Sequence, residues 1–233
     1  MALVRVNGIE VYYEEHGSGP ALLLIPGLGG DSRIFGGVTG TLAASSHVIV
    51  FDLRGGGRSD KPPGPYTIEQ MADDAEGLLD VLRIERAVVL GYSMGGRVAL
   101  SLALDHSTRV RRLVLAATSA RTPPSRIVSR RWLALEVLSR LPAPRRERQP
   151  RWAWECQRRA SRTYDATTRL GEIAIPTLIL HGRRDHMAPL LLARAMHEAI
   201  TGSALVEVPG GHISLLTRER RRFARELAAF VAS

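Results

Sequence analysis

Cysteine is almost missing from these 233 residues. The single Cys156 rules out an internal disulfide framework and has no CxxC partner for a metal site. Lysine is rarer than usual too: Lys61 is the only one, and arginine supplies the remaining basic side chains, a bias that fits GC-rich coding as readily as a function. Aromatic residues make up 5% of the chain. So few rings, with no recognised module, argue against stacking on bases and hence against a nucleic-acid ligand. No apolar stretch reaches the roughly 18 residues that a membrane span requires. The opening Met1-Ala2-Leu3-Val4-Arg5 lacks the basic segment and apolar stretch of a secretory leader. A cytoplasmic, reducing setting is therefore expected.

What is present is enough apolar material, 45%, for one sizeable core, and a length that suits one domain with at most a small insertion. The formal net charge of +9 is unevenly placed. From Arg121 to Arg169 there are thirteen arginines against four acids (Glu136, Glu147, Glu155, Asp165), and the rest of the chain is balanced.

An N-terminal hairpin is expected from Leu3–Val6 and Ile9–Tyr13 about the Asn7-Gly8 turn. Short, continuous apolar runs follow at Ala21–Ile25, His47–Phe51, Ala87–Leu90, Leu113–Ala116, Thr177–Leu180 and Ala204–Val208. Runs of this kind, bounded by Gly or Pro, suit strands buried on both faces. Helical spacing marks Ile68–Leu82, Met94–Leu104, Leu190–Ile200 and Ser214–Val231 between them. Thr67 followed by Gln70 reads as a capping box for the first. The alternation predicts an α/β fold, a mostly parallel sheet with helices on both faces. Residues 119–169 hold no strand-like run. Two amphipathic pieces, Ser125–Leu141 and about Gln149–Thr163, flank Pro142-Ala143-Pro144. The domain division is then a core of 1–118 and 170–233, with 119–169 as an Arg-rich helical cap laid over the sheet's edge.

Chemistry gathers at Gly91-Tyr92-Ser93-Met94-Gly95, between a buried run and a helical one. A Gly-x-Ser-x-Gly turn from strand to helix holds the serine in strained dihedrals with its Oγ exposed, and only glycine fits where the backbones approach. Helix N-terminal N–H groups there favour developing negative charge. A serine needs a base and the base an orienting acid, in the order Ser, acid, His for this turn type. Asp185 follows the Thr177–Leu180 run, and His212 follows Ala204–Val208, which puts both on the sheet edge that carries Ser93. His181 and His186 lie too near the acid in sequence to serve as its base. Oxyanion donors are expected at the N–H of Met94 and, from the loop Pro26-Gly27-Leu28-Gly29-Gly30, that of Leu28. Gly27, Gly29 and Tyr92 would border the substrate. The glycine loop has no following Gly-Lys-Ser/Thr and no dinucleotide spacing, so no cofactor is implied, and no metal either.

Together Leu23-Leu24-Ile25-Pro26-Gly27, Asp52-Leu53-Arg54-Gly55-Gly56-Gly57-Arg58-Ser59, Gly91–Gly96, Pro176-Thr177-Leu178 with Gly182 and Asp185, and Gly211-His212 resemble the α/β-hydrolase superfamily, in particular its small cofactor-free serine esterases. The resemblance covers nearly the whole chain outside 119–169. It implies an eight-stranded sheet with a short helical cap, and structural bracing rather than catalysis for Asp52, Arg54 and Ser59. Pro26 stands where the family usually has histidine, which implies different support for the oxyanion loop. The implied activity is cleavage of a carboxylic ester, thioester or lactone through an acyl-enzyme. Non-hydrolytic members of this fold (lyases, cyclases, perhydrolases, acyltransferases, ligand receptors) are the alternative. The basic cap is similar in charge, not in motif, to that of pimeloyl-acyl-carrier-protein methyl ester esterases. An anionic ester or an acidic carrier protein would suit it, against the plainer reading of a solvated surface. No oligomeric state is read from the sequence.

Overall fold

The computed structural model describes residues 1–122 and 149–232. Strands β1 (Ala2–Val6), β2 (Ile9–His16), β3 (Ala21–Ile25), β4 (His47–Phe51), β5 (Ala87–Tyr92), β6 (Val110–Ala116), β7 (Thr177–Gly182) and β8 (Ala204–Val208) form one sheet. Its order is β1-β2-β4-β3-β5-β6-β7-β8. The β1–β2 and β2–β4 pairings are antiparallel, and the rest are parallel. Asn7 and Gly8 both take positive φ, 46° and 81°, as the hairpin turn requires.

Burial on both faces explains the continuous apolar runs. Along β3, Leu23 and Ile25 point into the core under α2 (Ile68–Val81) and α3 (Met94–Asp105), while Leu22 and Leu24 join the opposite core. That second core takes Val38 and Leu42 of α1 (Gly36–Leu42) and, once α4 (Arg151–Thr163) and α5 (Leu190–Ala199) have been passed, Phe223 and Leu227 of α6 (Arg220–Ala232).

Two local expectations need correcting. The helix expected over Ser214–Val231 is divided: a 3-10 turn spans His212–Leu216, and α6 begins only at Arg220. The break falls at Thr217, whose φ of −121° and ψ of −91° leave the helical region, while the Ser214 carbonyl accepts from the N–H groups of Thr217 and Glu219 and its Oγ caps the start of the turn at Gly211. The capping box of α2 is half made. Thr67 Oγ1 accepts from Gln70 N–H at 3.0 Å, but Gln70 Oε1 has no hydrogen-bond partner. The amphipathic piece Ser125–Leu141 lies outside the described residues; the second piece forms α4. Among the described residues no helix is long and apolar enough to cross a membrane.

Candidate active site

The strand order reverses about β3 and β5, the point where ligands bind open α/β sheets at the strands' carboxyl ends. Ser93 sits there, between β5 and α3, with φ 57° and ψ −118°. Glycine is required around it. A Cβ on Gly91 would collide with the Gly95 carbonyl, and one on Gly96 would lie 2.5 Å from Thr118 Cβ. Two hydrogen bonds fix the strained residue: Ser93 N–H donates to Ala116 O at 2.9 Å, and Thr118 Oγ1 donates to Ser93 O at 2.6 Å.

Loops after β7 and β8 bring the acid and the histidine to the same edge. Arg183 and Arg184 N–H groups donate to the carbonyls of Val208 and Gly210, so the two loops are tied together. His212 Nε2 lies 2.9 Å from Ser93 Oγ, and His212 Nδ1 lies 2.7 Å from Asp185 Oδ2. A carboxylate only accepts, so Nδ1 carries the proton and Nε2 is left to accept from the serine. The Asp185 side chain is fully buried, and its Oδ1 accepts the N–H groups of Met187 and Ala188 at 2.8 and 2.9 Å. Tyr92 reaches across to the same histidine: its hydroxyl donates to His212 O at 2.9 Å. Burial and the nearby Asp185 carboxylate raise the Tyr92 pKa, which keeps the phenol a donor.

The rival histidine His181 is fully buried behind this set. Its Nε2 is 2.6 Å from Ala188 O and only 3.6 Å from Asp185 Oδ2, and its Nδ1 is buried without a partner. Burial lowers its pKa. His47, His106 and His197 bond to Glu15, Asp73 and Ser203 away from this site.

The expected oxyanion donors are the N–H groups of Met94 and Leu28. Met94 is the first residue of α3, where N–H groups lack intrahelical partners, and among the described residues neither it nor the Leu28 N–H makes a hydrogen bond. Gly27 lies against the nucleophile turn: a Cβ there would be 3.0 Å from Ser93 Cβ.

Loop support comes from a place the sequence did not point to. Buried Gln157 of α4 accepts from Gly29 N–H at 3.5 Å and from Gln149 Nε2 at 2.9 Å, and donates to Arg54 O at 2.8 Å. Gln149 Nε2 also donates to Gly55 O, and the Trp154 indole packs on Gly29. Arg97, in the first turns of α3, is a second such residue. Its guanidinium, held down to a pKa of about 10 by burial, bonds Ser119, Thr122, Arg121 O and Ser161. The only hint of Gln157 in the sequence is a polar residue among Ala153, Ala160 and Ser161 on the buried stripe of α4.

The Asp52–Ser59 segment braces the neighbouring loop. Asp52 accepts from Ser32 and Arg58 N–H groups, Ser59 Oγ donates to Asp52 O, and Arg54 pairs with buried Asp74 through two bonds of 2.5 and 2.6 Å. Cys156 packs against Gly64. Among the described residues no three His, Cys, Asp or Glu side chains are grouped to hold a metal ion.

A family described as alpha/beta hydrolase fold matches residues 20–139, and one described as TAP-like protein matches 146–232. An Azorhizobium caulinodans protein named "Putative carbamate hydrolase RutD" is 30% identical over 231 residues, covering 87% of each chain. An uncharacterised Mycobacterium tuberculosis protein is 41% identical over 125 residues, which is 54% of this chain but 37% of that one. The chain thus spans well under half the length of the mycobacterial relatives it matches. Among solved structures, the enol-lactonase of Burkholderia xenovorans LB400 superposes with a TM-score of 0.85 at 27% identity over all of both chains. A thermophilic esterase from Thermogutta terrifontis does so with a TM-score of 0.85 at 28% identity, also over all of both.

Proposed function

The chain belongs to the α/β-hydrolase superfamily, and from that premise we propose that it hydrolyses a carboxylic ester, lactone or thioester through an acyl-enzyme on Ser93. The observation that carries this reading is the continuous hydrogen-bonded line Ser93 Oγ–His212–Asp185 at the strand switch point. The names of similar proteins, enol-lactonase, esterase and carbamate hydrolase, support the same class of carbonyl.

The steps follow from the geometry. His212 Nε2 takes the Ser93 hydroxyl proton as Oγ adds to the acyl carbonyl carbon. The carbonyl π pair moves to oxygen, and the Leu28 and Met94 N–H groups hold the resulting oxyanion. Collapse breaks the bond to the leaving group, which departs with the proton from His212. Water then adds to the acyl-enzyme, giving its proton to the same nitrogen, and collapse returns that proton to Ser93 Oγ as the acid leaves. Asp185 stabilises the imidazolium in both halves. Gly27, Gly29 and Tyr92 border the acyl group, and α4 covers Gly29 through Trp154.

The exposed arginines of α4, Arg151, Arg159 and Arg162, favour an anionic approach, since charge of one sign beside a cleft raises the on-rate of the opposite sign. An acidic acyl carrier protein is one such partner; its ester should be cleaved more slowly as salt is raised, and salt-insensitive turnover would remove that partner.

The central test is labelling. A fluorophosphonate should modify Ser93, and short p-nitrophenyl esters should turn over in a way that Ser93→Ala abolishes. Turnover that survives Ser93→Ala removes Ser93 as the nucleophile. Absence of both turnover and labelling in the wild-type chain removes the hydrolase reading.

A further inference from the structure

Arg158 differs from the other arginines of α4. Its Nε is buried without a hydrogen-bond partner, and among the described residues it has no carboxylate in ion-pair reach. Arg151 pairs with Glu155, while Arg159 and Arg162, also without a carboxylate partner among the described residues, stand exposed. A buried donor on a cation that goes unmet is costly, and in a native chain it asks for an explanation.

Position supplies one. At one end of the relevant stretch of α4, Trp154 lies on Gly29, past the end of β3. At the other, Ser161 is bonded to Arg97, which also holds Ser119 just past β6. Strand β5, ending at Ser93, lies between β3 and β6 in the sheet. The helix therefore bridges the carboxyl end of β5. Arg158 falls midway on that bridge, one turn after Trp154 and one turn before Ser161, on the same side of the helix as both. Its guanidinium carbon sits 5.6 Å from the Trp154 ring, leaning over the residue that covers the oxyanion loop. The edge of a guanidinium that contains Nε–H is one that grips a carboxylate with two parallel bonds, and on Arg158 this Nε–H has no partner.

We propose that Arg158 is a carboxylate-binding residue in the roof of the acyl site, and that the substrate is an ester whose acyl chain ends in a carboxylate, a half-ester of a dicarboxylic acid. The substrate part of this rests on the hydrolase reading above. The free carboxylate docks on Arg158 while the ester carbonyl reaches Ser93. The bare charge of the exposed arginines would attract the same molecule but would not orient it.

Two measurements test this separately from the hydrolase reading. The first compares mono-p-nitrophenyl glutarate with p-nitrophenyl butyrate. Arg158→Met should lower kcat/KM for the half-ester by about ten- to a hundredfold, mainly through KM, and leave the neutral ester within about twofold. Arg158→Lys, which keeps the charge and loses the fork, should recover part of the loss. The second is calorimetric binding of monomethyl glutarate to Ser93→Ala, which needs no turnover. Binding that weakens by a similar factor in Ser93→Ala/Arg158→Met supports the site, even if the wild-type chain hydrolyses nothing, in which case only the hydrolase reading falls. Equal binding with and without Arg158, or equal losses on the charged and neutral esters, overturns the carboxylate site while leaving the hydrolase reading intact.

Discussion

Replacing Gln157 by leucine tests whether α4 holds the oxyanion loop or merely covers it. Leucine is close to glutamine in volume, so no large cavity results and the loss is one of hydrogen bonds. Two close bonds vanish, from Gln149 Nε2 at 2.9 Å and to Arg54 O at 2.8 Å, with a longer one from Gly29 N–H at 3.5 Å. Net hydrogen bonds of this kind contribute about 1 kcal/mol each, and a buried carbonyl left unmet costs about 1–3 kcal/mol. The sum is a destabilisation of about 3–5 kcal/mol, readable in a urea melt. The kinetic effect should be of a different kind. Loss of one oxyanion donor costs about a hundredfold or more in kcat. A loop that is loosened rather than removed should lose about tenfold, with KM within about threefold, because the donors act only on the transition state. Both parameters are measured on a p-nitrophenyl ester at a temperature where the variant is fully folded. Gln157→Glu, which keeps the acceptor facing Gly29 and Gln149, should lie between. A variant that loses the stated stability yet keeps kcat within about twofold would refute the bracing argument.

Three further expectations concern the same framework. Gly91→Ala should abolish measurable turnover and cost more than about 3 kcal/mol of stability, since its Cβ would meet the Gly95 backbone; Gly171→Ala, where nothing lies nearby, is the control and should be silent in both assays. Asp74→Ala should cost about 3–5 kcal/mol by stranding the buried Arg54 charge, whereas Arg54→Met with Asp74→Leu should recover most of it in the same urea melt; a single-variant loss under about 1 kcal/mol would contradict the pairing. Burial holds the folded pKa of His181 below its ordinary value of 6.5. As pH falls through that value the unfolded chain takes up a proton that the folded chain does not, so stability present above it is lost below it. His181→Gln should therefore show a shallower fall in Tm between about pH 7.5 and about pH 5.5 than wild type. Parallel falls would assign the acid sensitivity to other groups.

The sequence was most legible where structure is local. Strands ending in glycine-rich turns mark the positions of Ser93, Asp185 and His212, and a parallel sheet then delivers all three to one edge without any knowledge of packing. Helix α1 was illegible for the opposite reason. Its segment Gly36–Leu42 contains three glycines and no apolar period, and it is helical because Val38 and Leu42 reach the core shared with Phe223 of α6. Gln157 and Arg97 could not be read because their partners are distant carbonyls: Arg54 O is 103 residues from Gln157, and Ser161 is 64 from Arg97. Pro26 gave no hint that α4 would hold this loop through Gln157 and Trp154. The divided C-terminal helix escaped notice because the break falls at Thr217, with no Gly or Pro to mark it.

Arg97 has one more consequence. Its donors gather Ser119, Arg121 and Thr122 from one stem of the 119–169 segment and Ser161 from the other, and the Arg121–Asp165 bridge closes the same neck. Chain ends held together in this way carry their closure cost at the neck, and each doubling of what lies between adds only about 0.6 kcal/mol. The stretch between Thr122 and Gln149 can therefore lengthen, shorten or be exchanged for another while Ser93, four residues from the pin, stays where it is. A different stretch grafted there leaves the bonds of Arg97 and Gln157 untouched.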